Sequence, residues 1–279
     1  MIERQVLLRH AYRMLGSLAD AEDVVQEAYL RWYATDRTEV RNPQGFLRVM
    51  VTRLCLDQLR SAYHRRETYL GPWLPDPLIE VDPAAEAELA DDLSFAFLLA
   101  LERLSPAERA AFLLHDVLQE PFDAIAVALQ RSPAAVKQLA SRGRQKIRVE
   151  QPVASTREAH AEVLGRFAQA LRNDDLEGLR QVFSQDAVLL SDSGGKVMAA
   201  RRPVYGADRI ARFFLGVSRK NANLHEQVQL ARINGLPGFV RRAPDGQMVQ
   251  ALALEILGTE IRRVYITVNP DKLAREGKA

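Results

Sequence analysis

The chain has one cysteine, Cys55, in 279 residues. That excludes a disulfide framework and a metal site built from several thiolates. Cys55 falls in an apolar helical pattern and reads as a small core residue. Aromatic residues are scarce, at 7%. The one-signed charge that marks many nucleic-acid binders is missing too: 38 basic and 36 acidic side chains leave a formal net charge of +2. Total charge therefore argues for no partner. No apolar run approaches the ~18 residues of a membrane span, and no early apolar stretch with a cleavage site reads as a signal peptide. The expectation is a soluble, cytoplasmic protein with no membrane partner. Metal-ligand spacings and phosphate-cradling glycine loops are also missing, so no metal, cofactor or catalytic residue is expected.

What is present is unevenly distributed. Hydrophobic residues make up 47% of the chain, enough for real cores, and the length suits about two domains. Thr68 to Glu102 contains no Lys or Arg but eight acids: Asp76, Glu80, Asp82, Glu86, Glu88, Asp91, Asp92 and Glu102. Basic residues gather on either side, at Arg60, His64, Arg65 and Arg66 and again from Lys137 to Arg148. That layout suggests two nucleic-acid-facing modules joined by an acidic tether; a solvated linker without a partner is the plainer reading.

The stretch from Phe122 to Arg148 reads as a helix, a tight turn and a second helix. Phe122, Ile125, Ala126 and Leu129 have the spacing of one buried helical stripe. Gln130 and Arg131 make the turn, Ser132 stands where an N-cap belongs, and Pro133 takes the first helical position, where its missing N–H is not needed. Val136, Leu139, Ala140, Gly143 and Ile147 form the inner face of the second helix. Outside it carries Ala134, Lys137, Gln138, Ser141, Arg142 and Gln145, with Arg144, Lys146 and Arg148 crowding its end. A major-groove helix needs cations for phosphates, and Lys, Gln and Ser for base edges. DNA reading is expected here, against the plainer reading of a basic surface helix.

Upstream, residues 1–68 read as helical throughout. Asp20 is the predicted N-cap of a helix whose inward stripe is Ala21, Val24, Val25, Ala28 and Trp32 and whose outer face is acidic: Asp20, Glu22, Asp23, Gln26 and Glu27. Asn42-Pro43 opens a long helix with Leu47, Met50, Val51, Leu54 and Gln58 inward and Arg53, Asp57, Arg60, His64 and Arg65 outward. Residues 69–92 form an acidic, proline-rich linker. Its apolar pair Trp73-Leu74 calls for a surface to dock on. Residues 93–150 resume the helices, with Ser105-Pro106-Ala107-Glu108 as a capping box.

From 151 to 279 the character changes. Helices at Glu158–Leu171, Leu176–Phe183 and Ala207–Val217 accompany strands at Val188–Leu190, Lys196–Ala200, Glu226–Ile233, Gly238–Arg241, Met248–Leu257 and Glu260–Val268. This pattern predicts an α+β domain with helices on one face of a curved antiparallel sheet.

Three features now coincide: the helix Asp20-Ala21-Glu22-Asp23-Val24-Val25-Gln26-Glu27-Ala28, the long basic helix after Asn42-Pro43, and Leu104-Ser105-Pro106 leading into the helix-turn-helix. In that order and spacing they resemble a bacterial RNA polymerase sigma factor of the extracytoplasmic-function type, with sigma-2 and sigma-4 domains in the first half. The C-terminal half resembles a SnoaL-like domain of the nuclear-transport-factor-2-like fold, a cone of helices and sheet. The combination is similar to the SigJ-like subgroup. Members carry a Trp-Leu-Pro-acid-Pro strap, here Trp73-Leu74-Pro75-Asp76-Pro77, and an Asp-Gly-Gly-Gly-Lys/Arg turn, here Asp192-Ser193-Gly194-Gly195-Lys196. They also carry Asn-Pro-Asp-Lys-Leu, intact here as Asn269-Pro270-Asp271-Lys272-Leu273.

The resemblance implies a promoter-specificity subunit without catalysis of its own, whose partners are core RNA polymerase, through its β′ clamp helices and β subunit, and promoter DNA. It assigns polymerase contact to Asp20, Glu22, Asp23, Gln26 and Glu27, and the −10 element to Asn42, Arg53, Asp57, Arg60 and His64. The −35 element falls to Ser132, Ala134, Lys137, Gln138, Ser141, Arg142 and Arg144. The strap, the Gly-rich turn and the tail become regulatory contacts that restrain the two helical domains. The competing reading is a helix-turn-helix regulator fused to a small-molecule-binding or enzymatic SnoaL-like domain, with Asp192, Arg201, Asp208 and His225 as its polar set. Against catalysis, Asp192 sits at a turn, where aspartate is common for backbone reasons. A small ligand in the C-terminal domain is left open.

Overall fold

The computed structural model describes residues 4–36, 38, 40, 42–67, 69–80, 93–147, 157–221 and 227–274. Arg148, His225 and the linker acids Asp82, Glu86, Glu88, Asp91 and Asp92 lie outside the described residues, as do the side chains of His64, Arg65 and Arg66. Contacts divide the chain into two compact units, Met1–Thr68 with Ala96–Val149, and Tyr69–Phe95 with Glu150–Ala279. The fold class read from the sequence holds: all-α pieces first, then an α+β domain.

The first unit contains α1 (Arg4–Leu15), α2 (Leu18–Ala34), α3 (Pro43–Glu67), α4 (Phe95–Leu101, from Ala96 on), α5 (Pro106–Phe112), α6 (Phe122–Leu129) and α7 (Pro133–Lys146). Ser17, rather than Asp20, caps α2: its Oγ accepts from the Asp20 N–H at 3.3 Å, which leaves Asp20 in the first turn. A serine three residues before an acid fills the cap as well as an aspartate does. In α3 the buried stripe is Leu47, Val51, Cys55 and Leu59, one residue round from the expected face, while Met50, Leu54 and Gln58 are half-buried. His10 of α1 meets this helix on its buried side. It is fully buried and meets Thr52 Oγ1 at 2.8 Å, and the Thr52 hydroxyl donates to the Arg48 carbonyl at 2.7 Å. Burial, with Arg13 and Arg48 nearby, lowers the imidazole to about 3, so it is neutral. Burial likewise pushes the Cys55 thiol up, leaving an inert core residue.

Within this unit the two helical pieces are packed together. Arg109, almost fully buried, donates to the Met14 carbonyl at 2.6 Å and to Glu102 at 2.8 Å. Ser105 and Glu108 form the expected capping box, and Lys146 closes on Glu108 at 2.7 Å.

The second unit contains α8 (Arg157–Arg172), α9 (Leu176–Val182), α10 (Ala207–Asn221), α11 (Pro270–Leu273) and a seven-stranded sheet. Its strands are β1 (Ile79–Glu80), β2 (Phe183–Asp192), β3 (Val204–Tyr205), β4 (Gln227–Ile233), β5 (Leu236–Arg242), β6 (Met248–Leu257) and β7 (Glu260–Thr267), in the order β1-β4-β5-β6-β7-β2-β3. Phe167, Phe183 and Phe214 join α8, β2 and α10 in one apolar core with Leu252, Leu254, Val264 and Leu189 of the sheet.

Two strand expectations are corrected. Lys196–Ala200 is turn and coil; the short strand lies at Val204–Tyr205 instead. The sheet is mixed, not antiparallel, because β2 and β7 pair in parallel. Nearly seventy residues separate those strands in sequence, which leaves room for the crossover a parallel pair requires. The turn before β5 is Asn234-Gly235, with φ of 49° and 73°, so Leu236-Pro237 already belong to the strand. Paired left-handed residues suit the twist of a two-residue hairpin.

Candidate functional site

Three separated stretches of the second unit converge on one carboxylate. Asp192, fully buried at the end of β2, accepts from the Tyr69 hydroxyl, from the Leu74 N–H at 2.8 Å, from the Gly194 N–H at 3.1 Å and from Lys272 Nζ at 2.9 Å. Its carbonyl takes the N–H groups of Val268 and Asn269 at 2.8 and 3.1 Å. Lys272 also donates to the Leu74 carbonyl and lies 3.9 Å from Asp76. Its ammonium stands 4.5 Å from the centre of the Trp73 ring and 5.8 Å from that of Tyr69, within reach of cation–π attraction. A buried ion pair persists only where further hydrogen bonds satisfy both partners, and here they do. Burial and the bond to Asp192 push the Tyr69 hydroxyl above its ordinary range.

The motifs named from the sequence supply most of this cluster. Leu74, Pro75, Asp76 and Pro77 are buried, while Trp73 is half-buried beneath Lys272. Asn269 caps α11 through the Asp271 N–H at 3.1 Å and donates to the Tyr69 hydroxyl at 3.0 Å. Leu273 is buried, Pro270 is exposed, and Lys196 pairs with Asp271 on the surface. Gly194 and Gly195 have φ of 58° and 74°, and a Cβ on Gly194 would meet the Asn269 side chain at 2.5 Å. Ser193 replaces a glycine without strain, since it stays out of the left-handed region and its Oγ accepts from the Gly195 N–H at 3.2 Å.

Three further strap contacts were not legible in the sequence. Asn234 takes the Leu78 N–H on Oδ1 at 3.0 Å, returns its own N–H to the Leu78 carbonyl at 2.8 Å, and donates Nδ2 to the Leu93 carbonyl at 3.1 Å. β1 pairs Ile79 with Ile233, and Phe95 stacks on Tyr265 at 4.9 Å. Asn-Gly signals a hairpin turn; nothing in it signals a clamp on residues more than a hundred positions away.

In the first unit, Glu22, Asp23 and Gln26 are exposed on α2, Asp20 and Glu27 half-exposed, and Glu27 pairs with Arg31 at 2.7 Å. Leu30 and Tyr33, missed from the sequence, extend that face with exposed apolar surface. Asn42 is engaged locally, accepting from the Gly45 N–H at 3.0 Å at the start of α3. Asp57 and Arg60 are exposed and face one another at 3.4 Å. Arg53 is committed within the unit, its Nε and Nη2 donating to the carbonyls of Ala128 and Val127 at 3.1 and 2.6 Å. Beside it Arg48 pairs with Glu120 at 2.6 Å.

On α7, Ser132 is the N-cap, accepting from the Ala135 N–H at 3.3 Å. Ala134, Lys137, Gln138, Ser141 and Arg142 are exposed together, and exposed Arg144 pairs with Asp116 at 2.8 Å. Gln130 makes the turn at φ 53°. Of the polar set considered for catalysis, Asp192 belongs to the strap cluster. Asp208 pairs with Arg212 at 2.9 Å and Arg180 at 3.6 Å, and Arg201 is exposed. Among the described residues those three make no contact with one another.

Residues 2–65 match the family model described as Sigma-70 region 2, and residues 94–147 the model described as Sigma-70, region 4. The chain is 41% identical to the ECF RNA polymerase sigma factor SigJ of Mycobacterium tuberculosis, over 96% of this chain and 90% of that protein. It is 33% identical to the probable ECF RNA polymerase sigma factor SigI of the same organism, over 97% and 92%. The crystal structure of M. tuberculosis SigJ superposes with a TM-score of 0.77 at 34% sequence identity, covering 99% of this chain and 97% of that one.

Proposed function

The chain belongs to the extracytoplasmic-function RNA polymerase sigma factors, and from that premise we propose how its parts divide the work of starting transcription in the cytoplasm. It is a regulator that lends core polymerase its promoter preference. The α2 face of Glu22, Asp23, Gln26 and Glu27 docks on the β′ clamp helices, with Asp20 at its edge. Asn42, Arg53, Asp57, Arg60 and His64 serve the −10 element. The exposed face of α7 reads the −35 element as duplex, with Lys137 and Gln138 toward base edges, Ser132, Ala134 and Ser141 at the groove, and Arg142 and Arg144 on phosphates. One good base contact discriminates by about 1–3 kcal/mol, so two short elements at a set spacing suffice.

The second unit regulates in cis. What supports this is the convergence of Trp73–Pro77, the Asp192–Lys196 turn and the Asn269–Leu273 tail on a single buried carboxylate. Residues 69–80 lie on the stretch of chain that joins α3 to α4, so clasping them shortens the free tether between the two promoter-reading pieces. A −10 reader needs the Arg53 guanidinium that α6 now holds. Release of the clasp therefore favours an opened arrangement in which Arg53 can turn to DNA. The rival reading as a stand-alone regulator leaves the acidic face of α2 without a purpose.

Run-off transcription with purified core polymerase tests the proposal. Lys272→Met keeps side-chain bulk but removes the ammonium, and it should change promoter output several-fold with core binding unchanged. If the native chain directs core enzyme to no start site, the promoter reading fails. If Lys272→Met and Asp192→Asn both transcribe like the native chain, the regulatory part fails alone.

A further inference from the structure

The segment leading into the helix-turn-helix departs from ordinary helical geometry. Beyond α5 the backbone widens: the Leu118 N–H bonds to the Leu113 carbonyl at 3.0 Å, and Leu113–Val117 forms one π turn. Such turns are rare and occur frequently at functional sites. Gln119 then takes φ 57°, and the Glu120 N–H returns to the Leu114 carbonyl at 2.9 Å. Two side chains carried by this wide turn bear on the cations of α7, one through an aromatic ring and one directly. The His115 ring stacks on Phe122 with centroids 3.8 Å apart, and its Nδ1 donates to the Glu120 carbonyl at 3.1 Å. A carbonyl can only accept, so that bond fixes the ring's tautomer as well as its tilt. Lys137 Nζ in turn stands 5.5 Å from the centre of the same Phe122 ring. One residue on, Asp116 holds Arg144 Nε at 2.8 Å.

We infer that the wide turn Leu113–Glu120 is a positioning element for −35 recognition, in which His115 sets the Phe122 ring and that ring aims the Lys137 ammonium. This rests on the reading of α7 as the −35 helix. A lysine on an exposed helix samples many rotamers, and a binding partner must select one; a contact that already favours it reduces that cost. At an exposed site cation–π attraction is weak enough to change an equilibrium only about two- to fivefold. The arrangement therefore biases Lys137 without locking it, which suits a group that must leave the ring for a base edge. Asp116 does the same for Arg144, directing a guanidinium that would otherwise swing freely.

The test uses the full chain with core polymerase and a promoter it transcribes, in competition with duplexes substituted one base at a time through the −35 element. Lys137→Ala should flatten the base preference at one −35 position. Phe122→Leu and His115→Ala should each weaken preference at that same position about two- to fivefold, and Phe122→Tyr, which retains a ring face, should restore it. Preferences elsewhere in the element and affinity for core enzyme should not move. Native preference in Phe122→Leu and His115→Ala, beside a flattened Lys137→Ala, would overturn the positioning role and leave the reading of α7 standing. Loss spread evenly over all positions, without recovery in Phe122→Tyr, would also overturn it, as the mark of a folding defect. A Lys137→Ala profile identical to the native one would remove the reading itself and this inference with it.

Discussion

Among the described residues, two lysines stand over aromatic rings, and they are held in opposite ways. Lys272 lies 4.5 Å from the Trp73 ring with only 10% of its side chain exposed, between a fully buried carboxylate and a backbone carbonyl. Lys137 lies 5.5 Å from the Phe122 ring on an open helix face. Water screens the second contact and is kept from the first. The same chemistry is thus a fastener in one unit and a light bias in the other. The contrast extends to everything around them. The strap cluster satisfies its charges internally, so disturbing one member disturbs a fold. Lys137 faces solvent, so disturbing it changes binding and little else.

The largest effect that could break this contrast is expected at Asp192. Asp192→Ala strands the Lys272 ammonium and the Leu74 N–H, and removal of one partner from a buried pair costs about 3–5 kcal/mol. Thermal unfolding should fall accordingly, with amide exchange accelerated through residues 69–80, while Lys137→Ala should stay within about 0.5 kcal/mol of the native chain. Equal effects of the two substitutions would erase the distinction.

The response to pH should sharpen it. His10, in the first unit, is lowered to about 3 from an ordinary 6.5. The unfolded chain therefore binds a proton that the folded one refuses, and stability drops as pH falls below 6.5, by about 2 kcal/mol at pH 5. Tyr69, in the strap cluster, is raised above its ordinary 10.0, chiefly by burial and by Asp192. There the folded state keeps a proton the unfolded one gives up, so stability is full below pH 10 and declines above it. Hydrogen exchange across pH should show the first unit weakening in acid and residues 69–80 weakening in alkali, and His10→Gln should flatten the acid limb alone. Loss of both regions together at either extreme would contradict this.

The smallest expected change is at the turn between α6 and α7. Gln130 holds φ 53°, a region that penalises any Cβ. Gln130→Gly should raise the unfolding free energy slightly, by less than about 1 kcal/mol after the entropy a glycine adds to the unfolded chain, and the midpoint with it. A fall in the midpoint would mean that the Gln130 side chain makes a contribution of its own.

Much of the fold is legible in the order of residues alone. Helix periodicity locates α2, α3, α6 and α7, and Ser105 with Glu108 announces their capping box. Trp73-Leu74 in a run of acids and prolines signals a docking pair, and Leu74 is fully buried. The failures share a cause. The buried face of α3 departs from expectation where it meets distant partners, as Thr52 meets His10, forty-two residues away. Lys196–Ala200 has the composition of a strand but pairs with no strand among the described residues. The π turn at Leu113–Val117 and the reach of Asn234 leave no local trace.

What the sequence determined by itself is therefore what depends on neighbours a few positions apart: the caps at Ser105 and Ser132, the stripes of α2, α6 and α7, the acidic run and the cationic face of α7. Only the tertiary structure decided that Asp192 gathers the strap, the turn and the tail, that Arg53 spends its guanidinium on α6, and that Phe122 lies under Lys137. The physical reason is that burial and hydrogen-bond partnership are properties of folded surroundings. A carboxylate at a turn looks the same in sequence whether water or a buried ammonium will meet it, and only the folded chain chooses between them.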